Sequence, residues 1–267
     1  MYKENPILNN NKKLLPTLSV IIVTKNEMLN IADCVKSADF ADEVLVIDSG
    51  STDQTVKLAR EAGARVIETD WPGYGPQQNR AIEASIGTWI YSLDADERIT
   101  KELATEIKTV ISQEDFLVFS VPRSSLFITK FIRHSGWWPD RTRRLFKRGH
   151  AEFTTHEIHA NLAAHTAVGK LKQHMIHYSY RDLYDVLEKM NRYSSGGARD
   201  INAIKKKGSL FSAISHGIWA FIRTYIIKLG LLDGTEGFIL AIANAETTYY
   251  KYLKLYFLQK NNQNAQK

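Results

Sequence analysis

The first hundred residues alternate between short apolar runs and stretches with helical spacing. Leu18-Ser-Val-Ile-Ile-Val23 is β-branched and apolar, follows Pro16, and gives way to Thr24-Lys25-Asn26-Glu27. A run of that length without polar alternation predicts a strand buried on both faces that delivers a loop. Leu29, Ile31, Cys34 and Val35 then fall on one side of a helix over 28–38. Val44-Leu-Val-Ile47 predicts a second buried strand, closed by Asp48-Ser49-Gly50-Ser51-Thr52-Asp53. Either Thr52 or Asp53 can cap the helix that contains Val56, Leu58 and Ala59. Gly63 ends that helix, Arg65-Val-Ile67 predicts a third strand, and 77–86 predicts another helix. Trp89-Ile-Tyr-Ser-Leu93 predicts a fourth strand, ending in Asp94-Ala95-Asp96-Glu97, and Thr100 can cap a helix running to about Ile111.

The order βαβαβαβα predicts an α/β fold whose parallel sheet is flanked by helices on both sides. Ligands of such sheets sit at the carboxyl ends of the strands. The polar clusters at 24–27, 48–53 and 94–97 all fall at those ends, which predicts a small-molecule site there.

After residue 115 the pattern changes. Phe116-Leu-Val-Phe-Ser-Val121 predicts one more strand, and 123–150 mixes arginines with Phe127, Phe131, Trp137 and Trp138. From about Asp182 the spacing is helical to the end, and Leu210–Leu232 is apolar except at His216, Arg223 and Lys228. Three parts are expected: a flexible tail over 1–16, an α/β domain that carries the small-molecule site over 17–180, and a helical extension over 181–267.

Composition narrows the classes. With 44% hydrophobic and 24% charged residues among 267, the chain can bury a core and is not disordered, collagenous or coiled-coil. A lone Cys34 cannot form an internal disulfide, and Met1–Asn11 lacks an apolar signal core. Both lead to the expectation of a cytoplasmic protein, or one on a membrane face that touches the cytoplasm. The net charge of +6 conceals a division. Residues 1–120 carry 12 Lys/Arg against 19 Asp/Glu, and 121–267 carry 23 against 10. The basic half suits an anionic acceptor or membrane, or is a solvated face.

Asp94-x-Asp96 is the first chemical signal. If the backbone stays extended, the two carboxylates share a face and suit Mg²⁺ or Mn²⁺ completed by substrate phosphates. Asp48 can accept from a base or a ribose while Gly50 permits a tight turn. Gly73-Tyr-Gly75 lacks the third glycine of a dinucleotide loop, and no Walker-type sequence exists. His156-Glu157-Ile158-His159 is followed by Ala160, so the metalloprotease pattern fails as well.

Four motifs together resemble glycosyltransferase family 2. They are Ser19–Glu27, Val46–Asp53, Gln78-Asn79-Arg80 and Leu93–Glu97, in the family's order and spacing. The resemblance implies a GT-A fold, Rossmann-like, with a helical extension, and inverting transfer from a nucleotide sugar. It implies that Thr24, Lys25, Asn26, Glu27 and Asp48 hold uracil and ribose. Ser49 stands where many members carry a second Asp. Asn79 and Arg80 would lie near the diphosphate, Asp94 and Ala95 near ribose or sugar, and Asp96, with Asp94, at the metal. In the second half Gly136–Asp140, Arg144-Leu-Phe146, His156-Glu157, His177–Tyr180 and Leu232-Asp-Gly234 resemble a bacterial subgroup. These are the lipopolysaccharide or lipooligosaccharide core β-1,4-glucosyltransferases, which use UDP-glucose and a heptose of the lipid A–core acceptor.

Such a reaction needs a base for the acceptor hydroxyl. Glu157 is preferred over Asp140, because a His-Glu pair after the basic, aromatic stretch fits an acceptor pocket that includes His156. Arg144 can hold an acceptor phosphate or belong to a solvated face. His177 can reach the metal or be a core histidine. Leu210–Leu232 would extend about 35 Å as one helix. Arg223 and Lys228 each cost roughly 2.5–3.5 kcal/mol at a membrane centre, so an interfacial helix on the anionic inner-membrane surface is expected instead of a span. No nucleic-acid partner is expected. Two alternatives stay open: a transferase acting on a polyprenyl phosphate or other glycan acceptor, and a non-catalytic nucleotide-sugar or nucleic-acid binding module.

Overall fold

The computed structural model describes residues 16–154 and 161–264. The chain begins β1 (Leu18–Thr24), α1 (Ile31–Ser37), β2 (Glu43–Asp48), α2 (Thr55–Glu61), β3 (Arg65–Glu68), α3 (Tyr74–Ala84) and β4 (Trp89–Asp94). It continues β5 (Glu97–Ile99), α4 (Lys101–Gln113), β6 (Val118–Phe127), β7 (Lys130–Phe131) and β8 (Asp140–Lys147). Then follow β9 (Ala151–Phe153), β10 (Leu162–Ala164), β11 (Val168–Lys170) and β12 (Met175–Tyr180).

Among the described residues the main sheet has ten strands, with the path β3-β2-β1-β4-β8-β6-β12-β5. The first four are parallel, and β1 is bonded on both edges, which explains its unbroken apolar run. The sheet then turns mixed, because β8 runs antiparallel to both β4 and β6. Successive residues of β1 face opposite ways. Val20 and Ile22 join the core under α1, α2 and α4, whereas Ile21 joins the core under α3 with Leu45, Ile47 and Phe146.

Several element boundaries differ from the sequence reading for physical reasons. α3 starts at Tyr74, three residues early, because Pro76 sits in a first turn whose N–H groups need no helical partner. α2 has Gln54 at its N-cap, while Asp53 accepts from the Thr55 N–H at 2.9 Å just inside the helix. Thr100 does cap α4, accepting from Leu103 at 3.2 Å. β6 runs through Pro122 to Phe127, with a register irregularity against β8 between Phe119 and Ser120.

The C-terminal part contains α5 (Leu183–Ala203), α6 (Leu210–Ile222), a π-helical turn Arg223–Ile227, a 3₁₀ turn Gly230–Asp233 and α7 (Gly234–Asn264). Leu210–Leu232 is therefore not one helix. Leu229 takes a left-handed conformation (φ 55°) and turns the chain back. Buried Asp233 fixes the turn by accepting from the Arg133 N–H at 3.1 Å, the His134 N–H at 3.0 Å and the Ser135 hydroxyl at 3.2 Å. Gly230 and Gly237 allow the backbones to touch: a Cβ on Gly237 would lie 2.0 Å from the Gly230 carbonyl oxygen.

Candidate active site

The parallel register aligns the strand ends. Thr24 pairs with Asp48, Val23 with Asp94, and Asp48 with Glu68. The loops after β1 and β2 are stitched together. Asn26 donates its N–H to Ser51 at 2.8 Å and its side-chain oxygen accepts from the Thr52 N–H at 2.8 Å. Glu27 donates its N–H to the Thr55 hydroxyl at 2.7 Å. Asp48 is buried and accepts from the Gly50 N–H at 3.0 Å, the Ser51 N–H at 2.8 Å and the Ser51 hydroxyl at 2.5 Å. It holds its loop in shape around Gly50, whose φ of 82° favours glycine. Ser49 accepts from Gln77 of α3 at 2.9 Å. Lys25 is exposed on the rim. Burial pushes the half-buried Glu27 carboxyl upward, against a hydrogen bond from Asn30.

Asn79 and Arg80 diverge. Both ends of the Asn79 amide bond the backbone of Phe153, donating at 2.9 Å and accepting at 2.8 Å. Asn79 thus clamps α3 to β9. Arg80 reaches Thr69 and also Asp70 at 2.9 Å and the Gln77 side-chain oxygen at 2.9 Å, beside the loop after β3.

Asp94 and Asp96 do not share a face. β4 ends at Asp94 and Ala95–Asp96 form a turn, so the extended backbone needed for that arrangement is absent. Asp94, expected at the metal, instead pairs with Arg144. Arg144, expected to face an acceptor, is itself buried and donates to Glu97 at 2.6 Å. Arg123 lies 3.4 Å from Glu97 and donates from Nε to Asp140 at 2.9 Å. Asp94, Arg144, Glu97, Arg123 and Asp140 thus form one charge ladder across β4, β5, β6 and β8. Burial opposes the charge on Arg144, but Asp94 and Glu97 outweigh it and hold the guanidinium protonated.

Asp96 meets His177 instead. His177 Nε2 is 3.3 Å from the Asp96 carboxylate, and its Nδ1 is 3.0 Å from the Ser125 hydroxyl, which orients the ring. The Asp96 backbone carbonyl also accepts from the Tyr178 N–H at 2.9 Å. Burial raises the Asp96 pKa, but the His177 hydrogen bond and charge, with Lys189 and Arg123, outweigh it and bring it to about 2. An ionised carboxylate beside an oriented imidazole is, with the imidazole neutral, a donor set that fits a divalent cation completed by diphosphate oxygens. Among the described residues no group of three or more His, Cys, Asp or Glu could hold a metal by itself. Asp96 and His177 therefore fit a cation shared with substrate, not a closed protein site. Glu157 and His156 lie outside the described residues.

The sequence reading assigned no role to Gln77, Arg123, Ser125 or Glu97. Opposite charges at 123 and 140 were visible, but only the β6–β8 register makes them neighbours.

The chain is 31% identical over 252 residues to an uncharacterised glycosyltransferase of Rickettsia felis, covering 89% of each. It is 27% identical over 252 residues to a lipopolysaccharide core biosynthesis glycosyltransferase of Rhizobium meliloti, covering 90% of this chain and 92% of that one. Among solved structures, glucosyl-3-phosphoglycerate synthase from Mycobacterium tuberculosis matches at 26% identity with a TM-score of 0.36. That match spans 42% of this chain and 44% of the solved one. The family model described as glycosyl transferase family 2 matches residues 19–168. More than half of the chain, including the ends of β1, β2, β3 and β4, falls inside that match, and the protein belongs to glycosyltransferase family 2, with the GT-A fold.

Proposed function

We propose that the protein moves glucose from UDP-glucose to a heptose of the lipopolysaccharide or lipooligosaccharide inner core, forming a β-1,4 linkage with inversion. One observation carries the donor half of this reading. Thr24, Asp48 and Asp94 end adjacent parallel strands, and the Asp96–His177 pair lies one turn beyond them. The acceptor half draws its support from the likeness, over nearly the whole chain, to the Rhizobium meliloti core transferase.

In the reaction the acceptor oxygen bonds the anomeric carbon as the bond from that carbon to the UDP oxygen breaks on the opposite face. The hydroxyl proton passes to a carboxylate base, and UDP leaves with the electron pair. Mg²⁺ or Mn²⁺ held by Asp96 and His177 would supply Lewis-acid neutralisation of the departing diphosphate. Asp140 already accepts two bonds from Arg123, which favours Glu157 as the base. The loops of Thr24–Glu27 and Asp48–Ser51 frame the base and ribose, while Arg80 stands near the diphosphate.

The test is UDP release from a panel of UDP-sugars with a heptose-bearing core acceptor. Release with UDP-glucose and acceptor together is expected. Glu157→Gln should lower turnover by roughly 10²–10⁴-fold with UDP affinity kept, and Asp140→Asn should not. No release with any donor and acceptor pair overturns the reading. Full activity in both variants would point to a polyprenyl phosphate acceptor, which arrives already anionic.

We further propose that the enzyme works peripherally on the cytoplasmic face of the inner membrane, where nucleotide sugars are available. Leu210–Ile227 has a mean hydropathy of 1.3 and only 17% of its residues are buried. Phe211, Ile214, Ile218 and Trp219 are exposed along it, and Lys205-Lys206-Lys207 precede it. An exposed apolar helix face with adjacent cations suits the surface of an anionic bilayer.

A further inference from the structure

Many arginines and lysines of the second half are engaged, whereas Arg223 and Lys228 stand together at one cavity. Arg123 and Arg144 serve the charge ladder, Arg148 bonds the carbonyls of Ile82, Ser85 and Gly87, and Lys254 is held by Asn191 and Ser194. Arg223 and Lys228, at the two ends of the π-helical turn, have no carboxylate partner among the described residues. They line one cavity of about 400 Å³ together with Thr224, Asn244, Thr247 and Thr248. Among the described residues no acidic side chain lines it. Asp233, the nearest buried acid in sequence, is saturated by Arg133, His134 and Ser135.

The wall opposite α7 is the loop 135–137, whose Trp137 stacks on Tyr180 at 5.9 Å and 20°. Tyr180 ends the strand that carries His177. The cavity therefore backs onto the loop leading to Asp140. The turn that carries both cations, and the residues after it, also expose aliphatic side chains: Ile226, Ile227 and Leu229 are 54%, 54% and 48% exposed, and Leu231 and Leu232 follow in sequence. π-helical turns widen the helix and frequently mark binding sites.

Thr247 donates its hydroxyl to the Ala243 carbonyl at 2.7 Å, but the Thr248 hydroxyl and the Thr224 hydroxyl, which accepts from Asn244 at 3.4 Å, stand beside the two cations and together match a phosphate group. The apolar surroundings decide between its sources, since free phosphate gains nothing from exposed aliphatic side chains. We propose that this cavity binds the phosphomonoester head of an anionic lipid, whose second negative charge matches the second cation, while the neighbouring aliphatics meet its acyl region. The inference rests on the membrane reading above and narrows it from a diffuse basic surface to a built site.

The full chain is floated with phosphatidylcholine vesicles containing phosphatidate, or phosphatidylglycerol adjusted to the same zeta potential. The unmodified protein should prefer phosphatidate by about tenfold, the worth of one charge-assisted hydrogen bond. Arg223→Gln/Lys228→Gln should erase the preference. Thr248→Val, which leaves net charge unchanged, should reduce it. Replacing Lys205, Lys206 and Lys207 by Gln should weaken binding to both vesicles and keep the preference. Equal binding to both lipids, or a preference that survives the Arg223/Lys228 change, overturns the proposal. Displacement from vesicles by millimolar inorganic phosphate would identify a soluble-anion site and overturn the lipid assignment. Turnover with UDP-glucose and a delipidated core acceptor is measured in parallel. Its absence would sink the transfer reading while leaving the lipid preference to stand or fall alone.

Discussion

Replacing Arg144 by Met should destabilise the fold far more than a surface change would, and removing Glu97 as well should recover part of the loss. Glu97 has no exposed surface, and Arg144 is its close partner at 2.6 Å; Arg123 is at 3.4 Å. Breaking a buried ion pair by deleting one member costs roughly 3–5 kcal/mol, because the other charge is left buried. Arg123 remains near Glu97, which puts the expected cost at the lower end, about 3 kcal/mol. Asp94 is 42% exposed in its side chain, so losing that contact adds only about 0–1 kcal/mol after solvent screening. For a chain of this size about 3 kcal/mol corresponds to a Tm drop of roughly 6–12 °C. Glu97→Gln removes the stranded charge but keeps an oxygen for the Asp94 N–H, which Glu97 now accepts at 3.0 Å. The double variant should therefore be more stable than Arg144→Met alone, with a coupling of about 1 kcal/mol or more. Urea unfolding followed by circular dichroism measures both, with the slopes compared to exclude a change in the unfolded state. A loss below about 1 kcal/mol in Arg144→Met, or a double variant that loses the sum of the singles, would refute the ladder as a coupled unit.

Three further outcomes are expected. Ser125→Ala should loosen the His177 ring and weaken Mn²⁺ binding by about 10–100-fold, as changes behind a metal ligand do, read by electron paramagnetic resonance with UDP present; unchanged affinity would remove Ser125 from the site. Gly237→Ala should cost about 1–3 kcal/mol in urea unfolding, because its Cβ meets the Gly230 carbonyl; a neutral result would mean that the turn relaxes freely. Burial opposes ionisation of Glu43, but hydrogen bonds from Ser19, the Ile86 N–H and Arg65 prevail and hold its pKa below the ordinary 4.5. Its stabilising contribution is present above 4.5 and lost as pH falls through the lowered folded value, so Glu43→Gln should flatten the acid limb of the stability profile and leave its shape above that pH unchanged.

The parallel strands were legible because they are buried on both faces. Leu18–Val23 and Val44–Ile47 carry that burial as uninterrupted apolar runs, and their order set the sheet and the side on which the loops gather. β5 was not legible. Glu97-Arg98-Ile99 has no strand pattern, and its pairing comes from Met175–His177, far along the chain. The pairing of Asp94 with Arg144 was not legible, because spacing alone does not report that the backbone turns at Ala95. The His177 role stayed open for the same reason: Ser125 and Asp96 approach it only once β6, β5 and β12 are side by side.

The basic second half changes meaning when its cations are followed individually. Arg141 donates to the Leu171 carbonyl at 3.0 Å and Arg143 to the Leu162 carbonyl at 2.8 Å. Arg123, Arg144 and Arg148 are also turned inward. Five arginines of the arginine- and aromatic-rich stretch therefore brace β8 and its neighbours, although Arg141 and Arg143 stay exposed while doing so. The positive charge left at the surface is displaced toward the helices. Lys205-Lys206-Lys207 precede α6, while Arg223 and Lys228 end the π-helical turn. Those positions adjoin the exposed Phe211, Trp219, Ile226 and Ile227. Charge and apolarity thus coincide on one part of the molecule, which is the arrangement the proposed membrane attachment requires: apolar burial would bring the cations within a Debye length of an anionic surface, and the cations would hold the apolar side chains there.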